Sequence, residues 1–206
     1  MDKNETNLDN FTQEIVKFSV LKIHLFALVV LVASLIIFGL PFYLIRSEYT
    51  ISIINSIAAN TQNNQFNVLG GIIGGFIGLL IATAIMIVHE LIHGIFYAYY
   101  AKNKWKSVKF GLVLKKGIAY CICTEVIKIR PFFITTIMPT VIMGIVPLII
   151  SLINGSLHFF FFGIINMLGG CGDIYIILRF LKESKDSYIL DKSNEMCMHI
   201  YRRNIL

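Results

Sequence analysis

Apolar residues are concentrated in four long stretches that polar segments separate. The stretches cover residues 23–45, 66–101, 131–153 and 157–181. Each is long enough for a helix to cross the hydrocarbon core of a bilayer, which takes roughly 20 apolar residues. The hydropathy pattern therefore predicts about four transmembrane helices.

The segment between the second and third stretches has a different pattern. Residues 108–114 and 118–127 form short runs rich in β-branched and aromatic side chains, and Lys115-Lys116-Gly117 joins them. Two such runs around a glycine-containing turn are typical of a β-hairpin. The predicted fold class is therefore an all-α multi-pass membrane protein with a small cytosolic β-hairpin between helices two and three.

This pattern divides the chain into three parts. Residues 1–65 form an N-terminal segment with the first transmembrane helix, residues 66–181 form a membrane core, and residues 182–206 form a cytosolic tail. Pro139 and Pro147 fall inside the third helix. Because proline removes a backbone hydrogen bond, we expect these two residues to kink that helix.

Composition and the distribution of basic residues support a membrane location. The chain is 56% hydrophobic and 15% charged, whereas roughly a quarter of the residues in a soluble domain are charged. Lysine and arginine number three before the first span, one after it, eight between the second and third, none in the next turn and six after the fourth. The positive-inside rule then predicts a cell-membrane protein with both termini and the hairpin in the cytosol.

The formal net charge of +6 fits contact with anionic membrane lipids, which attract basic segments near the bilayer. No segment resembles a known nucleic-acid-binding module, so nucleic acid is not expected as a partner.

The second predicted span contains His89-Glu90-Leu91-Ile92-His93, an H-E-x-x-H motif. Histidines four residues apart lie on one face of a helix, about 6 Å apart along its axis, so both can bind a single Zn²⁺. Glu90 follows the first histidine and is placed to take a proton from a metal-bound water. The motif therefore indicates a zinc site with Glu90 as the catalytic base.

Asp173 is the other acidic residue inside an apolar stretch, and it is the candidate third zinc ligand. Ionised groups are costly in hydrocarbon, so residues of this kind are functional candidates. Asp173 lies six residues before Arg179, and His93 lies nine residues before Lys102. Both side chains therefore fit the cytosolic half of the membrane. The alternative is a structural cluster of hydrogen bonds without a metal.

Asn166 lies seven residues before Asp173 and therefore on the same helical face. It is a candidate for binding the substrate or a tetrahedral oxyanion. The alternative is a buried contact between helices. Cys121 and Cys123 are expected to be buried free thiols rather than metal ligands, since their spacing differs from that of zinc knuckles.

Glycines recur at two places in the predicted spans. Those at positions 70–78 are expected to let a neighbouring helix approach closely. Those at positions 169–172 serve packing, or they loosen the helix so that Asp173 reaches the metal.

These motifs resemble those of the bacterial putative zincin peptidases of the membrane and, more distantly, of site-2 intramembrane proteases. The matching segments are His89-Glu90-Leu91-Ile92-His93-Gly94, Lys128-Ile129-Arg130-Pro131 and Gly169-Gly170-Cys171-Gly172-Asp173. The resemblance spans roughly residues 66–190. It implies a three-helix metalloprotease core with a β-rich cytosolic insert.

The same resemblance implies His89, His93 and Asp173 as zinc ligands and Glu90 as the base. The chain also departs from the site-2 pattern, which usually has proline after the asparagine and glycine after the aspartate. Met167 and Ile174 occupy those positions here.

The predicted function is that of a zinc metallopeptidase that hydrolyses a peptide bond in or near the cytosolic half of the bilayer. Its substrate would be a peptide or a membrane protein. The alternative is a non-catalytic membrane protein whose zinc site is structural or degenerate and which acts as a binding or immunity-type factor. A transporter is disfavoured because the acids and histidines converge on one point and no inverted repeat is present.

Overall fold

A computed structural model of the chain describes residues 10–48, 51–52, 55–56, 68–113, 118–192 and 197–204. Within these residues the fold is mostly helical. Three segments, Val20–Ile45, Leu69–Tyr100 and Ile129–Asn154, are long and apolar enough to cross a membrane. A fourth candidate is a pair of helices, Leu157–Gly169 and Cys171–Phe180, which are bent by 48° relative to each other.

The helices, in chain order, are α1 (Val20–Ser34), α2 (Leu40–Ile45), α3 (Val68–Tyr100), α4 (Ile129–Pro139), α5 (Val146–Asn154), α6 (Leu157–Gly169) and α7 (Cys171–Phe180). A π-helical turn, Leu35–Gly39, connects α1 to α2, and a second, Thr140–Ile145, connects α4 to α5. Pro139 ends α4, and Pro147 lies in the first turn of α5. The two prolines thus border a π-helical turn, which is one way in which a helix absorbs missing backbone hydrogen bonds.

Two antiparallel sheets accompany the helices. The strands are β1 (Phe11–Lys17), β2 (Val108–Val113), β3 (Ile118–Cys123), β4 (Ile127–Lys128), β5 (Tyr188–Lys192) and β6 (Cys197–Arg203). One sheet has the order β1-β6-β5-β4, and the other pairs β2 with β3. A short 3-10 helix, Lys104–Ser107, connects α3 to β2.

The strand content corrects the all-α prediction. Strands β2 and β3 pair where the hairpin was expected, and the residues of its expected turn, 115–117, lie outside the described residues. The four-stranded sheet was not predicted, and it includes two strands from the segment 182–206, which was interpreted as a tail. Its strands are short and come from three distant parts of the chain, so no local pattern marks them as one sheet.

The core lies where α3, α4 and α7 meet the four-stranded sheet. Its most deeply buried side chains include Ile129, Phe132, Phe180, Ile189 and Ile200. A second cluster, formed by Phe42, Leu148, Phe160 and Ile164, joins α2, α5 and α6. The first cluster, which includes Tyr97 of α3 and Phe180 of α7, fixes the ends of the two helices that carry the candidate site residues.

The first half of α3 has a different environment. Residues 69–84 are exposed, and a Cβ at Gly74, Gly75 or Gly78 would have no described atom within 4 Å. Close packing of this glycine stripe against a neighbouring helix is therefore not seen among the described residues. By contrast, the second half of α3 packs against α4, β2 and β3.

Candidate metal centre

Two helices bring the predicted zinc ligands together. His89 and His93 lie one turn apart on α3, and Asp173 lies in the first turn of α7. The Asp173 Oδ2 atom is 3.1 Å from His89 Nε2 and 3.4 Å from His93 Nε2. All three side chains are largely buried, and their ligand atoms lie within 4.8 Å of one another.

The glycines before Asp173 explain how α7 reaches this position. The chain bends by 48° between α6 and α7, and Gly170 lies at that break. A Cβ at Gly170 would collide with the Thr140 hydroxyl. The close approach therefore requires glycine here, and the bend starts a new helix whose first turn carries the carboxylate.

The donor set fits zinc. Ligand atoms about 2.0–2.1 Å from a tetrahedral Zn²⁺ are separated from one another by about 3.3 Å. The two Nε2–Oδ2 distances are close to this value, and all three ligand atoms lie within 4.8 Å of one another. Two imidazoles and one carboxylate are also the ligand types of catalytic zinc sites, which keep a fourth position open for water.

A backbone carbonyl orients His93. The Nδ1 atom of His93 is 3.0 Å from the Thr135 carbonyl oxygen. A carbonyl oxygen only accepts hydrogen bonds, so Nδ1 carries a proton, and in the neutral imidazole Nε2 then has the lone pair that a metal can bind. This is the tautomer that a metal ligand needs, and such outer contacts also fix the orientation of the ring.

Glu90 and His93 border a cavity of about 320 Å³, which Asp173 also lines. Other parts of the cavity wall come from several elements. Phe18, Ile23 and His24 lie at the start of the first span. Ala119, Tyr120 and Cys121 lie on β3, Asp191 lies on β5, and Met198 lies on β6. Glu90 and two of the candidate ligands, His93 and Asp173, thus share a space that can hold water and part of a substrate.

A buried Tyr97–Asp191 pair was not predicted from the sequence. The Tyr97 hydroxyl donates a hydrogen bond of 2.8 Å to Asp191 Oδ2. The two residues are only 3% and 6% exposed, and both line the cavity. The spacing of Tyr97, four residues after His93 on the same helical face, was an available signal. The sequence contains no such signal for Asp191, because this residue lies in a short strand remote from the motif.

Asn166 lies apart from the cavity lining. Its side chain is buried, and Nδ2 donates a hydrogen bond of 2.8 Å to the Phe162 carbonyl one turn earlier. The role of Asn166 in binding a substrate or an oxyanion stays a prediction, and the described contacts favour its structural alternative.

The expected buried thiols are confirmed. Cys121 and Cys123 are buried and form no disulfide, and Cys121 borders the cavity. Burial raises the pKa of the Cys121 thiol well above its usual range and that of Cys123 to about 11. Both thiols are therefore protonated and unreactive at neutral pH.

Histidines one helical turn apart, an adjacent glutamate and an aspartate from a second helix together define a candidate zinc-hydrolase site. Residues 82–188, more than half of the 206-residue chain, match the family described as "Putative zincin peptidase". The chain belongs to this family, as its motifs predicted. No curated protein and no solved structure matches it. The similarity to site-2 proteases stays a prediction.

Proposed function

We propose that this protein is a membrane-embedded zinc metallopeptidase. The observation that carries the proposal is the convergence of His89, His93 and Asp173 at the edge of a cavity that Glu90, His93 and Asp173 line. Membership of the zincin family supports a peptidase. In this function the two histidines and Asp173 hold the metal, and Glu90 is the general base.

Zinc supplies polarisation of the scissile carbonyl and lowers the pKa of its bound water toward 7. Glu90 would take a proton from the water molecule that adds to the carbonyl carbon of the scissile bond. The carboxylic acid so formed delivers the proton to the amide nitrogen, the C–N bond breaks, and an amine and a carboxylate leave. Thr135 keeps His93 in the metal-binding tautomer throughout.

The four-stranded sheet supports a topology of four membrane crossings. Strand β1 precedes the first candidate span, β4 lies between the second and third, and β5 follows the bent pair α6–α7. Hydrogen-bonded strands of one sheet lie on the same side of a membrane, because an open sheet does not span it. The number of crossings is then even between β1 and β4 and again between β4 and β5. The bent pair α6–α7 therefore counts as one span. Strands β1 and β6 then lie on the side of the membrane that basic residues mark as cytosolic.

A second candidate function is a non-catalytic membrane protein that acts as a binding or immunity-type factor. One observation favours it. His89 Nε2 lies 3.1 Å and His93 Nε2 lies 3.4 Å from Asp173 Oδ2. With a proton on each Nε2 atom, the two imidazoles and the carboxylate form a polar cluster that needs no metal. The two functions differ in whether zinc is bound and whether Glu90 is needed.

The first test is zinc content in detergent-purified protein. We expect one zinc per chain in the wild type and in Glu90→Gln, because Glu90 is not a ligand, and loss of zinc in His93→Ala. His158→Ala is the matched control, since His158 is a histidine of α6 without a motif. A folded wild type without zinc would contradict the proposal.

The second test concerns catalysis. Loss of a general base lowers the rate by about 10²–10⁴-fold, so cells with Glu90→Gln are expected to accumulate uncleaved substrates that co-purify with the variant. Mass spectrometry of these trapped proteins, compared with His158→Ala, identifies them. If Glu90→Gln retains zinc and full biological activity, the non-catalytic function is the correct one.

A further inference from the structure

Exposed apolar and basic side chains form a surface next to the end of α3. We call it the Trp105 patch, and its residues are Lys104, Trp105, Lys106, Lys109, Phe110 and Leu112. Trp105, Phe110 and Leu112 are 53%, 49% and 50% exposed. None of the six residues belongs to a candidate span. These residues are therefore not exposed because they belong to a membrane-crossing helix that lipid surrounds.

The Trp105 patch lies beside the last turns of α3 rather than beyond its end. A Cβ at Gly94 would lie 3.4 Å from the Trp105 ring and would also meet the ring of Phe110. Gly94 precedes Tyr100, the last residue of α3, by six residues, or about 9 Å along the axis. A helix of 33 residues is longer than a hydrocarbon core of about 30 Å, so these turns extend into the headgroup region.

The charges of this surface have one sign. Residues 101–113 include four lysines and no acidic residue. The nearby carboxylate of Glu125 is half-buried and accepts hydrogen bonds from the backbone N–H groups of Lys102 and Asn103. An indole at the headgroup level with flanking lysines is the combination that anionic lipid surfaces bind.

We propose that the Trp105 patch docks on anionic lipid headgroups of the leaflet in which α3 ends. The proposal rests on the membrane placement of α3 but not on peptidase activity. Trp105, Phe110 and Leu112 enter the boundary between headgroups and acyl chains, and the three lysines contact lipid phosphates. The long lysine side chains reach these phosphates even where the backbone lies deeper.

Lipid contact at the Trp105 patch also determines how deep in the membrane the candidate active site lies. Strand β2 of the patch pairs with β3, and β3 contributes Ala119, Tyr120 and Cys121 to the cavity wall. Docking therefore holds the cavity at the membrane surface, and a peptide bond just outside the hydrocarbon core is the one that reaches it.

The chain offers a direct probe, because Trp105 is its only tryptophan. The full-length protein, reconstituted in vesicles of phosphatidylcholine and phosphatidylglycerol, is compared with the same protein in vesicles of the same composition whose acyl chains carry bromine at defined depths. Bromine quenches indole fluorescence on contact. We expect blue-shifted Trp105 emission and the strongest quenching by bromine close to the headgroup. Water-like emission that no brominated lipid quenches would overturn the proposal. Emission that changes with protein concentration would also overturn it, because a second copy of the chain would then cover the Trp105 patch.

The charge requirement is tested with brominated phosphatidylglycerol against brominated phosphatidylcholine. A lysine near the surface changes the preference for anionic lipid by about fivefold, so K104Q/K106Q/K109Q is expected to lose most of the excess quenching by the anionic lipid. The matched control K128Q/K182Q/K185Q removes three exposed lysines elsewhere and should retain it. Equal quenching by the two lipids in the wild type would refute anionic recognition, whatever the zinc content or activity of the protein.

Discussion

At the scale of single residues, Glu125 organises the junction between α3 and the two-stranded sheet. Its carboxylate accepts hydrogen bonds from the backbone N–H groups of Lys102 and Asn103 at 2.9 and 3.0 Å. It also accepts bonds from the Asn103 amide at 2.8 Å and from the Ser107 hydroxyl. Partial burial alone would raise the pKa of Glu125, but these hydrogen bonds outweigh it and hold the pKa below the ordinary value of 4.5. The charged form is therefore the stabilising one.

We expect Glu125→Gln to lower the free energy of unfolding by about 1–2 kcal/mol, because one accepting oxygen becomes an NH₂ group that faces N–H donors. A carboxylate whose folded pKa is depressed stabilises the fold above its unfolded pKa, and this stabilisation is lost as the pH falls through the folded pKa. The wild type should therefore lose stability below pH 4.5, and the variant should lose less. Thermal unfolding between neutral and acidic pH measures both effects. Asp186→Asn, at an exposed acid, is the control.

The residues of the candidate site differ in how far the sequence predicts them. His89, Glu90 and His93 follow from the spacing within one helix, which local geometry fixes. Asp173 followed from the cost of an acid in an apolar stretch, and the structure places it against both histidines. The contact from Thr135 could not be predicted, because a backbone carbonyl has no sequence signal and the contact depends on how α4 packs against α3.

At the scale of elements, the position of α3 depends on its second half. Residues 69–84 have no buried side chain, so contacts near the motif hold the helix. Two polar contacts from one face of α3 do this, and they reach two different elements: His93 contacts Thr135 of α4, and Tyr97 contacts Asp191 of β5. The Tyr97 hydrogen bond thus joins the motif helix to the four-stranded sheet.

Tyr97→Phe and Asp191→Ala are each expected to destabilise the protein by about 1–3 kcal/mol, since each removes the hydrogen bond between the two buried side chains. The double variant should cost less than the sum of the two, because the same contact is lost once. Chemical unfolding of the metal-free protein measures this coupling. Tyr99→Phe serves as the control, since Tyr99 is 78% exposed. Strict additivity would show that the contact contributes nothing.

The helices and the strands differ in how well the sequence predicts them. Long apolar runs predicted the helices because a helix is a local structure. Strands β1 and β6 pair residues that are 180 to 192 positions apart in the chain. Neither strand is apolar enough for its sequence to predict burial. Each forms a strand only because its distant partner supplies the backbone hydrogen bonds.

At the scale of the whole molecule, the fold predicts from which side water reaches the cavity. The outer half of α3 is uncharged and faces lipid in the proposed topology, whereas β3 and β5 border the cavity at the end that basic residues mark as cytosolic. Water should therefore enter from the cytosol.

In a background without native cysteines, we expect Ala119→Cys at the cavity wall to react with a membrane-impermeant thiol reagent added on the cytosolic side. Ile73→Cys, in the exposed apolar half of α3, should not react from either side. Labelling of Ala119→Cys only from the extracellular side would contradict both the access route and the orientation of the spans.

The pairing of β1 with β6 has a consequence for the timing of assembly. Strand β1 is synthesised before every candidate span, yet its partner β6 is made only after all of them. Closing so long a loop costs entropy that local contacts do not offset, and such non-local pairing is slow. The helices therefore have time to insert before the sheet closes and brings Asp191 and Met198 to the cavity. A newly made molecule thus passes through a stage in which its spans are in place but its cavity lacks one wall.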